Sequence, residues 1–202
     1  MSIESKVRQI EKLFERLDAE ISEFQTQTNL NCVAGCGKCC TKPDIEASPL
    51  EFLPWAFHLF LNGEAEKTLI KLKNTSSSIC HIYQPLSLLN SGNGRCGNYQ
   101  YRGLICRLFG NAANSDKYGK LRLATCTIIK ENQNIDYKKT EEAIGKGLYV
   151  PIFTDYYMQL NQIDFYLGNT ILPINHALKI AIEEVLNYYI YRPLPNGFQN
   201  AS

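Results

Sequence analysis

A chain of 202 residues with 45% hydrophobic and 20% charged side chains, 13 Gly and 8 Pro has a globular composition, which excludes disordered, collagen-like and fibrous classes. At this length about 70% of the unfolded surface becomes buried, so one ordinary domain with a packed core is expected over residues 1–202. Lys plus Arg number 21 against 20 Asp plus Glu, and a net charge of +1 supplies no basic field to draw the chain onto nucleic acid or an anionic membrane.

The chain opens on a helical pattern. Ile3, Val7, Ile10, Leu13, Phe14, Leu17, Ile21 and Phe24 recur at three- and four-residue steps, the mark of an amphipathic helix with a core-facing stripe. Charges every second or third residue leave no apolar h-region for a secretory signal, and no apolar stretch reaches the roughly 20 residues a bilayer requires. A cytoplasmic, reducing setting is therefore expected, in which clustered cysteines are metal ligands or catalytic groups more often than disulfides.

After a polar run at 25–31 comes a cysteine loop, Cys32 to Cys40, whose Gly35 and Gly37 let the backbone fold tightly around a small object. Ser48-Pro49-Leu50-Glu51 reads as a capping box with proline at the first helical position, which predicts a helix over 49–61 that stops at Asn62-Gly63. A short helix over 64–73 and a polar loop over 74–78 follow. Residues 104–109 and 121–129, separated by a Gly/Asn/Asp/Lys-rich stretch, read as a β-hairpin that sets Cys106 opposite Ala124 and Cys126 on the diagonal. The remainder, 139–192, reads as helical support, with Ile174, Leu178, Ile182, Val185, Leu186 and Tyr189 tracing one face before Pro193. Its tyrosines at 149, 156, 157, 166, 188, 189 and 191 suit half-buried packing or the lining of a pocket. The tail from Leu194 is expected to fray.

The chemistry lies in the cysteines. Cys32-x3-Cys36-x2-Cys39-Cys40 is followed by Cys80, Cys96, Cys106 and Cys126, and four thiols within nine residues converge at little loop-closure cost. Soft sulfur selects zinc, copper(I) or iron–sulfur clusters. The adjacent Cys39 and Cys40 are expected to point in different directions, which suggests two sites or the recruitment of a downstream thiol, with Cys106 and Cys126 foremost. The alternatives are small buried hydrophobes, for Cys80 above all, and a disulfide network, which the lack of an export signal opposes. His81, beside Cys80, is a substitute ligand, while His58 and His176 read as packing or surface groups. Arg102 and Arg107 either donate to cluster sulfur or pair with Glu51 or Asp44. The spacing of Cys32, Cys36 and Cys39 is similar to that of radical S-adenosylmethionine enzymes, but here it follows a long helix, Lys38 precedes the third cysteine, and alternating strand and helix signals are missing. No Ser/His/Asp order, phosphate loop, HExxH or Rossmann glycine signature supports a hydrolase, kinase or dehydrogenase.

Over about residues 30–130 the sequence resembles the YkgJ-type cysteine-cluster family, the CxxCxxCC zinc- or iron-chelating domain. The resemblance rests on the loop Cys32 to Cys40, the cap Ser48 to Glu51, and the block Cys96-Gly-Asn-Tyr99-Gln-Tyr-Arg102-Gly103-Leu-Ile-Cys106-Arg107-Leu-Phe109-Gly110. It departs from the family pattern in the three-residue gap after Cys32 and in Gly103 and Gly110, where proline is usual. The resemblance implies a chelating domain holding zinc or iron, with a [4Fe–4S] cluster as one form. Some relatives are flagellin lysine N-methylases, which implies an enzymatic alternative; a structural zinc interaction module is another. Together these readings predict a mainly α-helical domain with a small β-hairpin around a centre drawn from Cys32, Cys36, Cys39, Cys40, Cys80, Cys96, Cys106 and Cys126. Its expected partner is a metal ion or cluster, with no nucleic acid and no membrane.

Overall fold

The computed structural model describes residues 1–32, 35–86 and 93–196. It is mainly helical with small two-stranded sheets. Helix α1, Ile3–Thr28, carries the expected stripe: Ile3, Val7, Ile10, Leu13, Phe14, Leu17, Ile21 and Phe24 are all buried. Along the chain follow β1 (Glu46–Ala47), α2 (Leu53–Leu61), α3 (Ala65–Lys73), β2 (Tyr83–Pro85), β3 (Gly94–Cys96), α4 (Leu104–Leu108), β4 (Ala113–Ser115) and β5 (Leu121–Leu123). The last third holds α5 (Thr127–Asn132), α6 (Asn134–Gly145), α7 (Phe153–Ile163), α8 (Phe165–Asn169), β6 (Leu172–Pro173) and α9 (Ile174–Tyr189). Among the described residues no helix is long and apolar enough to cross a membrane.

The contacts gather into two compact units, the first comprising Met1–Glu11, Gly35–Gly103 and Leu160–Ser202, the second Lys12–Ala34 and Leu104–Gln159. In the first, α9 packs on α2, α3 and a 3-10 turn at Pro49–Phe52, burying Leu178, Ala181, Ile182 and Val185 against Leu50, Leu53 and Ala56. The predicted helix over 49–61 is thus divided into that turn and α2. Pro54 has no N–H to give to the Leu50 carbonyl, so an unbroken α-helical ladder cannot run through it. The stop at Gly63 is as expected, with φ +69°. The capping box is buried: the Ser48 N–H donates to Glu51 Oε1 at 2.8 Å and the Ser48 hydroxyl donates to the same oxygen at 3.1 Å. Lys6 pairs with Asp164 at 2.6 Å, and the Tyr189 hydroxyl donates to Glu4 at 2.5 Å. Strands β1 and β6 are antiparallel, Ala47 facing Leu172, and so are β2 and β3, with Tyr83 facing Cys96.

The second unit closes on Phe24, Leu30, Ala113, Leu123, Ile129, Ile144 and Val150. Its hairpin is shorter and later than the sequence suggests. Strands β4 and β5 pair with Ala113 opposite Leu123, whereas residues 104–108, read as a strand, form α4, and 127–132 form α5. A short apolar run does not distinguish strand from helix by period alone. Leu104 and Leu108, four apart and both fully buried, need one helical face, and Arg107 beside them is buried over the Phe14 ring while bonded to Asp18. Gly110, at φ +93°, ends the helix and donates its N–H to the Ala124 carbonyl at 2.7 Å. Cys106 consequently lies on a helix and is not the cross-strand partner of Ala124.

Candidate metal centre

Five of the eight cysteines, Cys36, Cys39, Cys40, Cys80 and Cys96, fall in the first unit. The loop that carries three of them folds through left-handed glycines, Gly35 at φ +72° and Gly37 at φ +57°, conformations in which a side chain is strained. Main-chain bonds then tie the loop at two places. The Gly94 N–H donates to the Gly35 carbonyl at 2.9 Å, which joins the start of the loop to β3, and the Cys80 N–H donates to the Cys40 carbonyl at 3.2 Å. Strand β3 ends at Cys96. The Tyr83 ring lies where a Cβ on Gly94 would stand and 2.8 Å from where one on Gly37 would stand, so loop and strand approach backbone to backbone. Asn175 at the start of α9 secures the segment before Cys80, donating to the carbonyls of Ser77 and Ile79 and accepting from the His81 N–H at 2.8 Å. Sequence reasoning passed over Gly94, Tyr83 and Asn175. The glycines just before Cys96 were a signal of close approach, but nothing in sequence links Asn175 to a cysteine 95 positions earlier.

The thiols form a linked electrostatic group. Cys39 and Cys40, expected to diverge, share a side-chain hydrogen bond. That bond, aided by the amides of Cys39 and Cys40 and by the Arg102 charge, outweighs burial and brings the Cys39 thiol down to about 6. Burial acts the other way on Cys80, pushing it up to about 11, with the neighbouring sulfurs of Cys96 and Cys39 adding to the rise. None of the eight cysteines is joined in a disulfide. As the side chains stand, no three Cys, His, Asp or Glu among the described residues are arranged to hold a metal ion. Cys39, Cys40, Cys80 and Cys96 are thiols, the donor type that suits a soft cation, and backbone bonds link the segments that carry them.

The other candidates are elsewhere. Cys32 is exposed in the second unit, next to residues 33 and 34, which lie outside the described set. Cys106 is half-buried on α4, and Cys126, just before α5, packs against the core of the second unit. His81 has its imidazole pKa lowered by burial, His58 stacks on Tyr101 with centroids 4.7 Å apart, and His176 is exposed. Arg102 lies 4.1 Å above the Tyr99 ring and donates to its hydroxyl at 2.6 Å, with its charge felt at Cys39. Arg107 pairs with Asp18. Of the tyrosines, Tyr188 and Tyr189 line a groove of about 710 Å³ in the first unit, whereas Tyr166 and Tyr191 project into solvent.

A glycine loop, a buried acidic cap and a second cysteine block make this a cysteine-rich helical region. Residues 31–127 match the family model CxxCxxCC, described as a putative zinc- or iron-chelating domain. No curated protein and no solved structure matches the chain.

Proposed function

We propose that the chain binds one zinc or iron ion through the thiolates of Cys39, Cys40, Cys80 and Cys96. The observation that carries this reading is that main-chain bonds hold together the three segments bearing those cysteines, the Cys80 N–H donating to the Cys40 carbonyl at 3.2 Å and β2 pairing with β3 so that Tyr83 faces Cys96, without a disulfide. Cys39 and Cys40 in the glycine loop, Cys80 before β2 and Cys96 at the end of β3 would hold the ion as thiolates, and it would supply a cross-link among those segments. The residues' own part is positional. Asn175 fixes the backbone before Cys80, Gly35 and Gly94 fix the loop against β3, and Arg102 offsets negative charge that builds up as thiols ionise. Such thiols persist in a reducing compartment, and the cytoplasm is the proposed location.

The test is elemental analysis of the full chain purified without air or chelator, with an absorption spectrum on the same sample. One equivalent of zinc without colour, or of iron with visible thiolate-to-metal bands, is expected. Protein with neither metal and with all thiols open to alkylation overturns the proposal.

A further inference from the structure

The groove of about 710 Å³ in the first unit has no cysteine in its walls, and it is built by three helices of that unit. Successive turns at the start of α1 supply Glu4, Arg8 and Glu11, α2 supplies Phe57 and Leu61, and the end of α9 supplies Tyr188 and Tyr189. The two tyrosines meet edge to face, with centroids 4.9 Å apart and planes at 81°, so their faces form an aromatic corner. Behind Tyr189 the Phe60 ring stacks at 4.7 Å and keeps that corner rigid. A cavity of this size and lining suits a small organic molecule.

The charges around the corner say of what kind. Glu4 accepts from the Tyr189 hydroxyl at 2.5 Å, and that bond holds its carboxyl below the usual range, so a negative charge is fixed beside the rings. Arg8, the groove's inner guanidinium, is set against Glu4 and lowers it further. Arg192 is different. Its guanidinium carbon stands 4.1 Å over the Tyr188 ring and it donates to the Tyr188 carbonyl at 2.9 Å, but among the described residues it pairs with no carboxylate. An exposed guanidinium of the chain itself thus rests on the electron-rich face that the corner offers.

We propose that the groove binds a small molecule carrying a guanidinium on an apolar or aromatic body, with the head over Tyr188 where Arg192 now stands and the body against Phe57 and Leu61. A planar, weakly hydrated guanidinium lies flat on a ring in a way that a compact ammonium does not, and an anion there would face the ionised Glu4. Arg192 is the resident competitor, and rotation of its exposed side chain clears the ring.

The experiment titrates phenylguanidinium chloride into the full chain, followed by two-dimensional NMR, beside phenylurea, a neutral molecule of nearly the same shape. Saturable binding with a Kd on the order of a millimolar or tighter is expected for the guanidinium, and phenylurea should bind at least about fivefold more weakly. Arg192→Ala should tighten phenylguanidinium binding about two- to fivefold, because nothing has to be displaced from Tyr188, and Tyr188→Leu should weaken it at least about threefold. Equal binding of phenylurea, or no saturable binding of phenylguanidinium, overturns the proposal in the wild-type chain alone. An unchanged or weaker affinity in Arg192→Ala also overturns it, since Arg192 on Tyr188 is then a local contact only.

Discussion

Gly110 stands where the resembling family has proline, and its geometry sets opposite costs on two replacements. At φ +93° it lies in the region that side chains avoid. A Cβ there would meet Ile129 Cδ1 at 3.6 Å and Thr125 Oγ1 at 3.8 Å, ordinary contacts that carry no clash. Gly110→Ala therefore isolates the backbone term, about 1–2 kcal/mol for left-handed φ, less about 0.4–1 kcal/mol from restricting the unfolded chain. The net expectation is about 1 kcal/mol of destabilisation, a fall in Tm of roughly 2–4 °C for a chain of this size. Gly110→Pro adds two losses: the ring holds φ near −65°, and the N–H that donates to Ala124 at 2.7 Å disappears. A cost of about 3 kcal/mol or more is expected, with the register of α4 against β5 disturbed. Urea melts of both variants followed by far-UV circular dichroism measure the difference. If Gly110→Pro unfolds at the wild-type midpoint, or Gly110→Ala is the more damaging of the two, the reasoning from φ and the Ala124 bond is refuted.

Removing metal from the loaded chain with a chelator should lower Tm on the order of 10 °C, since ligand at a thousandfold excess over Kd contributes about 4 kcal/mol; calorimetry showing no shift would count against a centre coupled to folding. Gly103→Ala should destabilise by about 1–3 kcal/mol in a denaturant melt, because the new methyl would stand 2.8 Å from the Phe52 ring and 3.0 Å from Glu51 Oε2; an unchanged midpoint would mean that Phe52 moves freely. Arg107→Ala should cost about 1–3 kcal/mol, through lost packing on Phe14 more than lost charge, because Asp18 is exposed enough to be hydrated; Arg107→Met should then recover much of the loss. Acid should weaken the first unit through Asp164 and Glu4. Burial raises Asp164, but Lys6 and the Leu167 N–H lower it further, while the Tyr189 hydroxyl lowers Glu4. A carboxyl depressed in the fold adds stability above its unfolded pKa near 4 and loses it as pH falls through the folded value, so Asp164→Asn should flatten the stability profile below about pH 4.

The elements legible in the sequence were those whose signal is local and long. Eight apolar positions over 22 residues marked α1, and Ser48 with Glu51 marked the buried cap, because periodicity and capping act within a few residues. Residues 104–108 misled because five residues are too few to separate a period of 2 from one of 3.6, and their conformation is decided by Phe14 and Asp18, about ninety positions earlier. The cysteines could be counted as ligands but not sorted: that Cys39 and Cys40 share a hydrogen bond, and that Cys80 lies against Cys40, depends on main-chain bonds that leave no residue pattern. The division into two units was equally hidden, since each is assembled from discontinuous stretches.

The packing of Tyr83 over Gly37 and Gly94 has a consequence for how such sequences diverge. Gly94 is required only while Tyr83 stays as it is, since an alanine at 94 demands a smaller residue at 83, whereas Gly37 is held both by its φ of +57° and by the strand backbone beside it. Positions 83 and 94 should therefore drift as a pair, changing together or not at all, while 37 stays glycine. Random single-site libraries would score all three as intolerant even though none bears a sulfur, and a paired library at 83 and 94 should recover functional combinations that the single-site map declares forbidden.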